Sequence, residues 1–122
     1  YLITLNLINK ITKFMKQEEN NWHLVCNEEE IEMDDLIRFD FENATYCIYK
    51  ISDGFYATDG ICTHEAVHLE DGLVMDGEIE CPMHQGIFDI KTGKAKSPPA
   101  CKDLNVYPIK SEEGKIFIQI NS

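Results

Sequence analysis

The sequence has few basic residues. Lys and Arg number 11 against 22 Asp and Glu in 122 residues, which gives a formal net charge of −11 at pH 7. This charge excludes nucleic acid as a ligand, because a phosphate backbone requires a basic surface. It suits a protein that is steered electrostatically toward basic surfaces of partner proteins. The length predicts one domain with one core.

A long hydrophobic run is also missing. Leu and Ile are frequent in residues 1–14, but polar residues such as Asn6 and Lys10 interrupt them. The stretch is too short and too polar to span a bilayer, and it lacks the basic start and the cleavage site of a signal peptide. We therefore expect no membrane partner. We interpret residues 1–15 as an extension and residues 16–122 as the domain; a short amphipathic partner-binding helix is the alternative for the extension.

Paired cysteines and a phosphate-binding loop are absent as well. The five cysteines are odd in number and irregularly spaced, which is not typical of a disulfide framework. Cys26 and Cys47 lie in apolar stretches and are predicted to be small core residues. Reduced thiols favour a cytoplasmic location. Because no glycine-rich phosphate-binding loop is present, the chain is not expected to bind NADH or flavin itself.

The sequence does contain a series of short segments with strand character. Turn signals separate them, as at Asp53-Gly54, Asp76-Gly77 and Glu113-Gly114. The acidic stretch 27–35 is expected to be a turn with a short helical kink. Strands are predicted at 22–26, 36–41, 44–51, 55–58, 79–81, 87–90, 106–110 and 115–120. Many short strands joined by frequent turns indicate an all-β sandwich or barrel.

Two short motifs carry soft metal ligands. They are Cys62-Thr63-His64 and Cys81-Pro82-Met83-His84, with 16 residues between them. Each supplies one thiolate and one imidazole, and the strand pattern places each on a loop at a strand end. This ligand set is expected for a Rieske [2Fe–2S] centre, in which two histidines replace two cysteines on one iron. The predicted cofactor ligands are Cys62, His64, Cys81 and His84, and the predicted chemistry is one-electron transfer.

The histidines have an electrostatic consequence. Two ferric ions, two sulfides and two thiolates sum to zero charge, whereas a cluster with four thiolates is anionic. An electron enters a neutral cluster more readily, so imidazole ligation raises the potential to roughly −150 to +300 mV, against about −400 mV for plant-type clusters. Zinc is the alternative metal, since two Cys and two His can bind it tetrahedrally. However, Cys-x-His is an uncommon spacing in zinc sites, and a metal-free chain would require four unconnected residues to coincide.

The motifs and their surroundings resemble the bacterial Rieske-type ferredoxins of ring-hydroxylating oxygenase systems. The resemblance extends from about Trp22 to Ile120. Outside the motifs it is strongest in Tyr56-Ala57-Thr58-Asp59, Asp71-Gly72, Ile79-Glu80, Gln85-Gly86, Phe88-Asp89 and Thr92-Gly93-Lys94-Ala95. It implies a Rieske fold, which is an antiparallel β-sandwich with a small inserted cluster-binding subdomain.

The resemblance also implies how the ligands are divided. Cys62 and Cys81 would hold the buried iron of the cluster. His64 and His84 would hold the outer iron, near the surface. The segment Ser97-Pro98-Pro99 would form a loop that covers the cluster from a third side.

Some positions depart from those of related proteins. Rieske proteins of respiratory complexes have a disulfide between two additional loop cysteines, and the matching positions here are Val67 and Met83. Those proteins also bond a serine and a tyrosine hydroxyl to sulfur, where this chain has Gly86 and Phe88. Losing two hydrogen bonds to a cluster that gains negative charge makes reduction harder. We therefore expect a potential near the bottom of the Rieske range, roughly −100 to −150 mV.

Several other candidates have simpler interpretations. His68 follows His64 by four residues and is expected to be an ordinary surface or loop histidine. Cys101 is expected to be a packing residue, because four ligands are already supplied. A basic cluster near the second motif either orients docking or is a solvated hairpin; it comprises Lys91, Lys94 and Lys96.

The resemblance implies a soluble one-electron carrier and not an enzyme. Its partners would be a flavin-dependent ferredoxin reductase, which supplies the electron, and a terminal Rieske-type oxygenase, which receives it. The chain itself has no further 2-His-1-carboxylate set and too few residues for an oxygenase domain. A small Rieske subunit of a nitrite reductase-like complex is the alternative, and a zinc-bound interaction module is the third hypothesis.

Overall fold

The structure is a computed structural model that describes residues 21–63, 66–82, 86–97 and 102–121. These residues form ten strands and two short 3-10 turns, Glu28–Glu30 and Leu69–Asp71. The strands are β1 (Trp22–Asn27), β2 (Asp35–Phe41), β3 (Ala44–Ile51), β4 (Gly54–Asp59), β5 (Leu73–Met75), β6 (Glu78–Glu80), β7 (Ile87–Asp89), β8 (Val106–Tyr107), β9 (Ile109–Glu112) and β10 (Lys115–Gln119). The predicted all-β fold is confirmed. Within the described ranges, no helix is long and apolar enough to cross a membrane.

The strands form three antiparallel sheets. One sheet has the order β1-β10-β9, and a second has the order β2-β3-β4-β8. The third sheet, β5-β6-β7, lies in the connection between β4 and β8. We refer to residues 60–105 as the insert. This arrangement confirms the expected sandwich with an inserted subdomain, and both motifs lie in the insert.

Strand β3 is buried on both faces and joins two hydrophobic cores. Tyr46 and Ile48 point into the core shared with the β1-β10-β9 sheet. The alternate residues Cys47, Tyr49 and Ile51 point into the core of the insert. Successive side chains of a strand face opposite sides, so a strand between two layers is apolar throughout. The insert therefore packs directly on the sandwich. Cys47 is a core residue as predicted, whereas Cys26 is only partly buried against the core of the β1-β10-β9 side.

Two of the three predicted turns have consecutive positive φ angles as expected, whereas in the Asp53-Gly54 pair only Gly54, the first residue of β4, has a positive φ angle. Asp76 and Gly77, between β5 and β6, have φ angles of 54° and 77°. Glu113 and Gly114, between β9 and β10, have φ angles of 53° and 78°. Two consecutive positive φ angles are typical of the type I′ turn, which matches the twist of the flanking strands.

Two strand predictions were wrong in detail. The single strand predicted at 106–110 is two strands, β8 and β9, with Pro108 between them in a chain that passes from one sheet to the other. Proline has no N–H to donate to a sheet, so it marks this transition. The sequence analysis also missed β5, which is a three-residue strand between two turns. The boundary predicted at residue 15 lies outside the described residues.

Candidate metal centre

Asp59 holds the two ends of the insert together where they leave and rejoin the sandwich. The Asp59 N–H donates to the Asn105 carbonyl over 3.0 Å, and the Asn105 N–H donates to Asp59 Oδ2 over 3.0 Å. The Tyr107 hydroxyl donates to Asp59 Oδ1 over 2.5 Å. Burial, followed by the Asp59 carboxylate, raises the pKa of the Tyr107 hydroxyl. The hydroxyl therefore remains a donor, and Asp59 closes the base of the insert.

Each of the two motif loops is closed by an equivalent backbone hydrogen bond of its own. In the first loop, residues 62–67, the Cys62 N–H donates to the Val67 carbonyl over 3.0 Å. In the second, residues 81–86, the Cys81 N–H donates to the Gly86 carbonyl over 2.9 Å. Paired residues flank each closure: Ile61 with His68 in the first, and Glu80 with Ile87 in the second. Each cysteine is thus the first residue of a six-residue loop at the end of a strand pair.

Both motif thiols are buried in the same core. Cys62 is 4% exposed and Cys81 is 0% exposed, and both pack with Leu69, Ile79 and Phe88. Two soft thiolate donors at matched loop positions in one apolar environment fit the sulfur side of an iron–sulfur centre. His64 and His84 lie outside the described residues, so their ligand role stays a prediction. The expected burial of the sulfur side agrees with the position of both cysteines.

The segment after β7 is tied to both motif loops. The Lys96 N–H donates to the Ile87 carbonyl over 2.7 Å, next to the second loop. Thr63 Oγ1, in the first loop, donates to the Lys102 carbonyl over 2.6 Å. The Ala95 N–H also donates to Asp103 Oδ1 over 2.9 Å. These bonds hold both ends of residues 96–102 beside the loops; Pro98, Pro99 and Cys101 lie outside the described residues.

The sequence analysis did not identify Thr63 and Asp103 as residues that position this segment. Thr63 lies inside the first motif, where only its neighbours Cys62 and His64 were considered as ligands. Asp103 carries no motif at all. Its carboxylate reaches the Ala95 N–H across eight positions in sequence, and no local pattern signals such a contact.

Phe88, whose side chain has no polar group, lies in the core of the insert. It is 0% exposed and packs in the same cluster as Cys62 and Cys81. Val67 packs against that cluster as an apolar residue, so the first loop contributes no additional cysteine. Gly86 and Phe88, the two residues that replace the serine and the tyrosine of respiratory Rieske proteins, are both buried at the end of the second loop.

His68 has one buried ring nitrogen. The residue is half-buried, and its Nδ1 atom is buried with no hydrogen-bond partner among the described residues. A charged network lies nearby: Arg38 pairs with Asp40 and with Glu70. Hydrogen bonds from Arg38 and Thr45 lower the pKa of Asp40, and His68 contributes a smaller effect. His68 thus lies in the connection between the first loop and the 3-10 turn Leu69–Asp71, consistent with the surface or loop histidine expected from the sequence.

Two lysines of the predicted basic cluster form ion pairs. Lys91 pairs with Asp53, and Lys96 pairs with Glu78. Lys91 also lies over the ring of Tyr56, with 5.9 Å between its Nζ atom and the ring centroid. These pairs neutralise much of the positive charge that was considered for docking.

Comparisons with known proteins agree with this architecture. Residues 21–108 match the Rieske [2Fe–2S] domain family. The chain is 36% identical, over 83% of its length, to 97% of the 2,4-dinitrotoluene dioxygenase system ferredoxin component of Burkholderia sp. (strain RASC). It superposes with a TM-score of 0.78 and 31% identity on a chain from the complex of reduced oxygenase and oxidised ferredoxin in carbazole 1,9a-dioxygenase, covering 82% of this chain and 94% of that one.

A ferredoxin of Sphingomonas yanoikuyae B1 superposes with a TM-score of 0.77 at 29% identity, covering 83% of this chain and all of that chain. The sequence relative is the ferredoxin component of its dioxygenase system. Fold, motif loops and sequence likeness thus lead to the same family. This chain belongs to the Rieske [2Fe–2S] family as a ferredoxin, an electron carrier whose cofactor is a [2Fe–2S] cluster.

Proposed function

We propose that this chain passes single electrons from a flavin-dependent ferredoxin reductase to the terminal oxygenase of a ring-hydroxylating system in the cytoplasm. The observation that carries the proposal is the pair of buried thiols, Cys62 and Cys81, in two loops closed by equivalent backbone bonds. Likeness to the ferredoxin components of dioxygenase systems supports the choice of partner. The domain would comprise residues 16–122, with residues 1–15 as an extension.

The ligand assignment follows the donor chemistry of the loops. Cys62 and Cys81 would hold the cofactor through their thiolates, and His64 and His84 would hold it through their imidazoles. When bound, the cluster supplies reversible one-electron chemistry in the Rieske range of potentials. The chain would bind it through these four residues, and the apolar side chains of Ile79 and Phe88, which pack with both cysteines, would exclude water from the thiolates.

Hydrogen bonds from outside the ligand set orient the loops. Thr63 Oγ1 bonds to the Lys102 carbonyl, which holds the first loop against the segment that follows residue 97. The Lys96 N–H bonds to the Ile87 carbonyl beside the second loop. Such partners outside the ligand set keep ligands in register and tune the metal centre.

Substitution of the histidines tests the ligand assignment. We expect His64→Ala and His84→Ala each to abolish the Rieske absorption and electron paramagnetic resonance spectra, because each removes an iron ligand. His23→Ala is the matched control, since His23 lies on strand β1, outside both motifs and outside the insert. It should retain a Rieske spectrum. An unchanged spectrum in either motif variant would refute the assignment, and a colourless, zinc-containing wild-type protein would refute the cofactor.

Reconstitution tests the proposed partners. With NADH, a flavin-dependent reductase and the terminal oxygenase of a ring-hydroxylating system, we expect the chain to support product formation. NADH alone should leave the ferredoxin oxidised, since no dinucleotide-binding loop is present in the sequence. The nitrite reductase-like alternative instead predicts tight copurification with a large catalytic subunit. That result, together with no turnover by any oxygenase, would overturn the proposal.

A further inference from the structure

The outer face of the β5-β6-β7 sheet is partly apolar and open to solvent. The inward residues Val74, Ile79 and Phe88 form the core of the insert. The outward residues form two rows across the sheet. By strand register they are Leu73, Glu80 and Ile87 in one row, and Met75, Glu78 and Asp89 in the other.

Leu73 and Met75 are the most exposed apolar side chains on this face. Leu73 is 52% exposed and Met75 is 56% exposed. They are two positions apart on an edge strand, so both project from the same side. Together with Ile87 they line a shallow depression of about 190 Å³. Apolar side chains exposed on an edge strand favour association with another protein.

The same face leads directly to the second motif loop. Glu80 precedes Cys81, and Ile87 follows Gly86, so the first row borders the loop that carries His84. Three neighbouring strands span only about 10 Å, given a strand spacing of about 4.8 Å. A protein that covers Leu73 is therefore close to the outer ligand loop.

The charge around the face identifies the chemistry of its occupant. Four carboxylates surround the apolar residues: Asp76, Glu78, Glu80 and Asp89. Lys96 pairs with Glu78, and Asp76 and Asp89 keep the rim acidic without counting Glu80. A second copy of this chain would bring two chains of net charge −11 together and is disfavoured. The complementary occupant is a partner protein with an apolar projection surrounded by Lys and Arg.

We propose that the outer face of β5-β6-β7, centred on Leu73 and Met75, is a docking surface for the terminal oxygenase. This inference rests on the proposed function, and it assigns to the oxygenase a surface beside the second motif loop. The oxygenase is chosen over the reductase because a solved complex of a related system pairs ferredoxin with oxygenase.

Stopped-flow measurement of the two electron-transfer steps tests this surface. The variant is Leu73→Gln with Met75→Gln, and the matched control is Met33→Gln, because Met33 is 55% exposed outside the insert. The probe is the oxygenase that turns over with the wild-type chain. We expect the second-order rate constant for electron transfer to the oxygenase to fall at least tenfold in the double variant. Met33→Gln should stay within twofold of wild type.

Three further readouts make the experiment decisive. The visible spectrum and the potential should be unchanged in both variants, so that a loss of rate reports docking. The wild-type rate should fall as ionic strength rises, because the inferred partner surface is basic. An unchanged rate in the double variant, an equal loss in the reductase step, or a rate that rises with salt would each overturn the docking surface. Absence of wild-type electron transfer to any oxygenase would instead defeat the proposed function itself.

Discussion

Removing the Tyr107 hydroxyl should loosen the insert at its base. This hydroxyl donates to Asp59 Oδ1 over 2.5 Å, at the point where β4 ends and the insert begins. Tyr107→Phe retains the ring, which packs edge-on against Tyr46 with 4.9 Å between centroids. The substitution therefore deletes one hydrogen bond to a carboxylate and leaves the aromatic contact in place.

The expected cost follows from the type of bond. A hydrogen bond to a charged group contributes about 1.5–3 kcal/mol. Asp59 keeps its bond from the Asn105 N–H and is only half-buried, so water partly replaces the lost donor. We expect the loss of this hydrogen bond to lower the free energy of opening the insert by about 1.5–2 kcal/mol. If the bond breaks before the cluster escapes, this corresponds to cluster loss that is about 10- to 30-fold faster.

Two optical signals separate loosening of the insert from unfolding of the sandwich. The visible absorption of the cluster reports on the insert, and the fluorescence of Trp22, the only tryptophan, reports on strand β1. In a fixed concentration of urea without oxygen, Tyr107→Phe should bleach faster than wild type. The change in Trp22 fluorescence should be accelerated less by the substitution than the bleaching of the cluster is.

Tyr46→Phe is the matched control for the lost hydroxyl. Tyr46 is 7% exposed, and its hydroxyl makes no hydrogen bond within the part of the chain that the structure describes. We expect it to bleach within about threefold of wild type, equivalent to roughly 0.6 kcal/mol. Equal bleaching rates for Tyr107→Phe and Tyr46→Phe would refute the role of the Asp59 contact in holding the insert closed.

Three further predictions concern the core of the insert. Phe88→Tyr should raise the reduction potential by about 40 mV if the hydrogen bond of the new hydroxyl becomes about 1 kcal/mol stronger on reduction. The wild-type potential should lie near the bottom of the Rieske range, and a clearly positive value would contradict this. Gly72→Ala should lower the yield of cluster-loaded protein, because the Cβ atom of the new alanine would lie 2.2 Å from the Glu80 carbonyl oxygen. A yield equal to that of wild type would show that the backbone shifts freely. Burial raises the pKa of the Cys47 thiol from 9.0 to about 12, so the folded state binds this proton more tightly than the unfolded state. The free energy of unfolding should therefore fall by roughly 1.4 kcal/mol per pH unit above pH 9. Urea midpoints measured at pH 8–11 should fall less steeply for Cys47→Ala than for wild type.

Residue types and short spacings were enough to predict the chemistry of this chain. Cys62 and Cys81 were identified as ligands from their motifs, and their burial in one core agrees with that prediction. The strand pattern identified most strands because alternation over five to eight residues is a local signal. It missed β5 because three residues between two turns contain too little alternation to recognise.

Contacts between distant residues were not predictable in this way. Asp59 meets Tyr107 across 48 positions, and Thr63 meets Lys102 across 39. Neither pair has a sequence pattern, since each depends on how the sheets are paired and on which strand follows the insert. The charge pairing of Lys91 and Lys96 likewise became visible only when Asp53 and Glu78 were placed beside them.

The sequence by itself determined the kind of cofactor, the acidic character of the surface and the all-β class, because these depend on side-chain chemistry and local periodicity. The tertiary structure decided that the two cysteine loops share one buried core, that Asp59 closes the insert, and that Leu73 and Met75 remain exposed beside the second loop. The physical reason is that burial and long-range hydrogen bonds depend on strand register. A register is set by the packing of all the sheets together and not by any one segment of the chain.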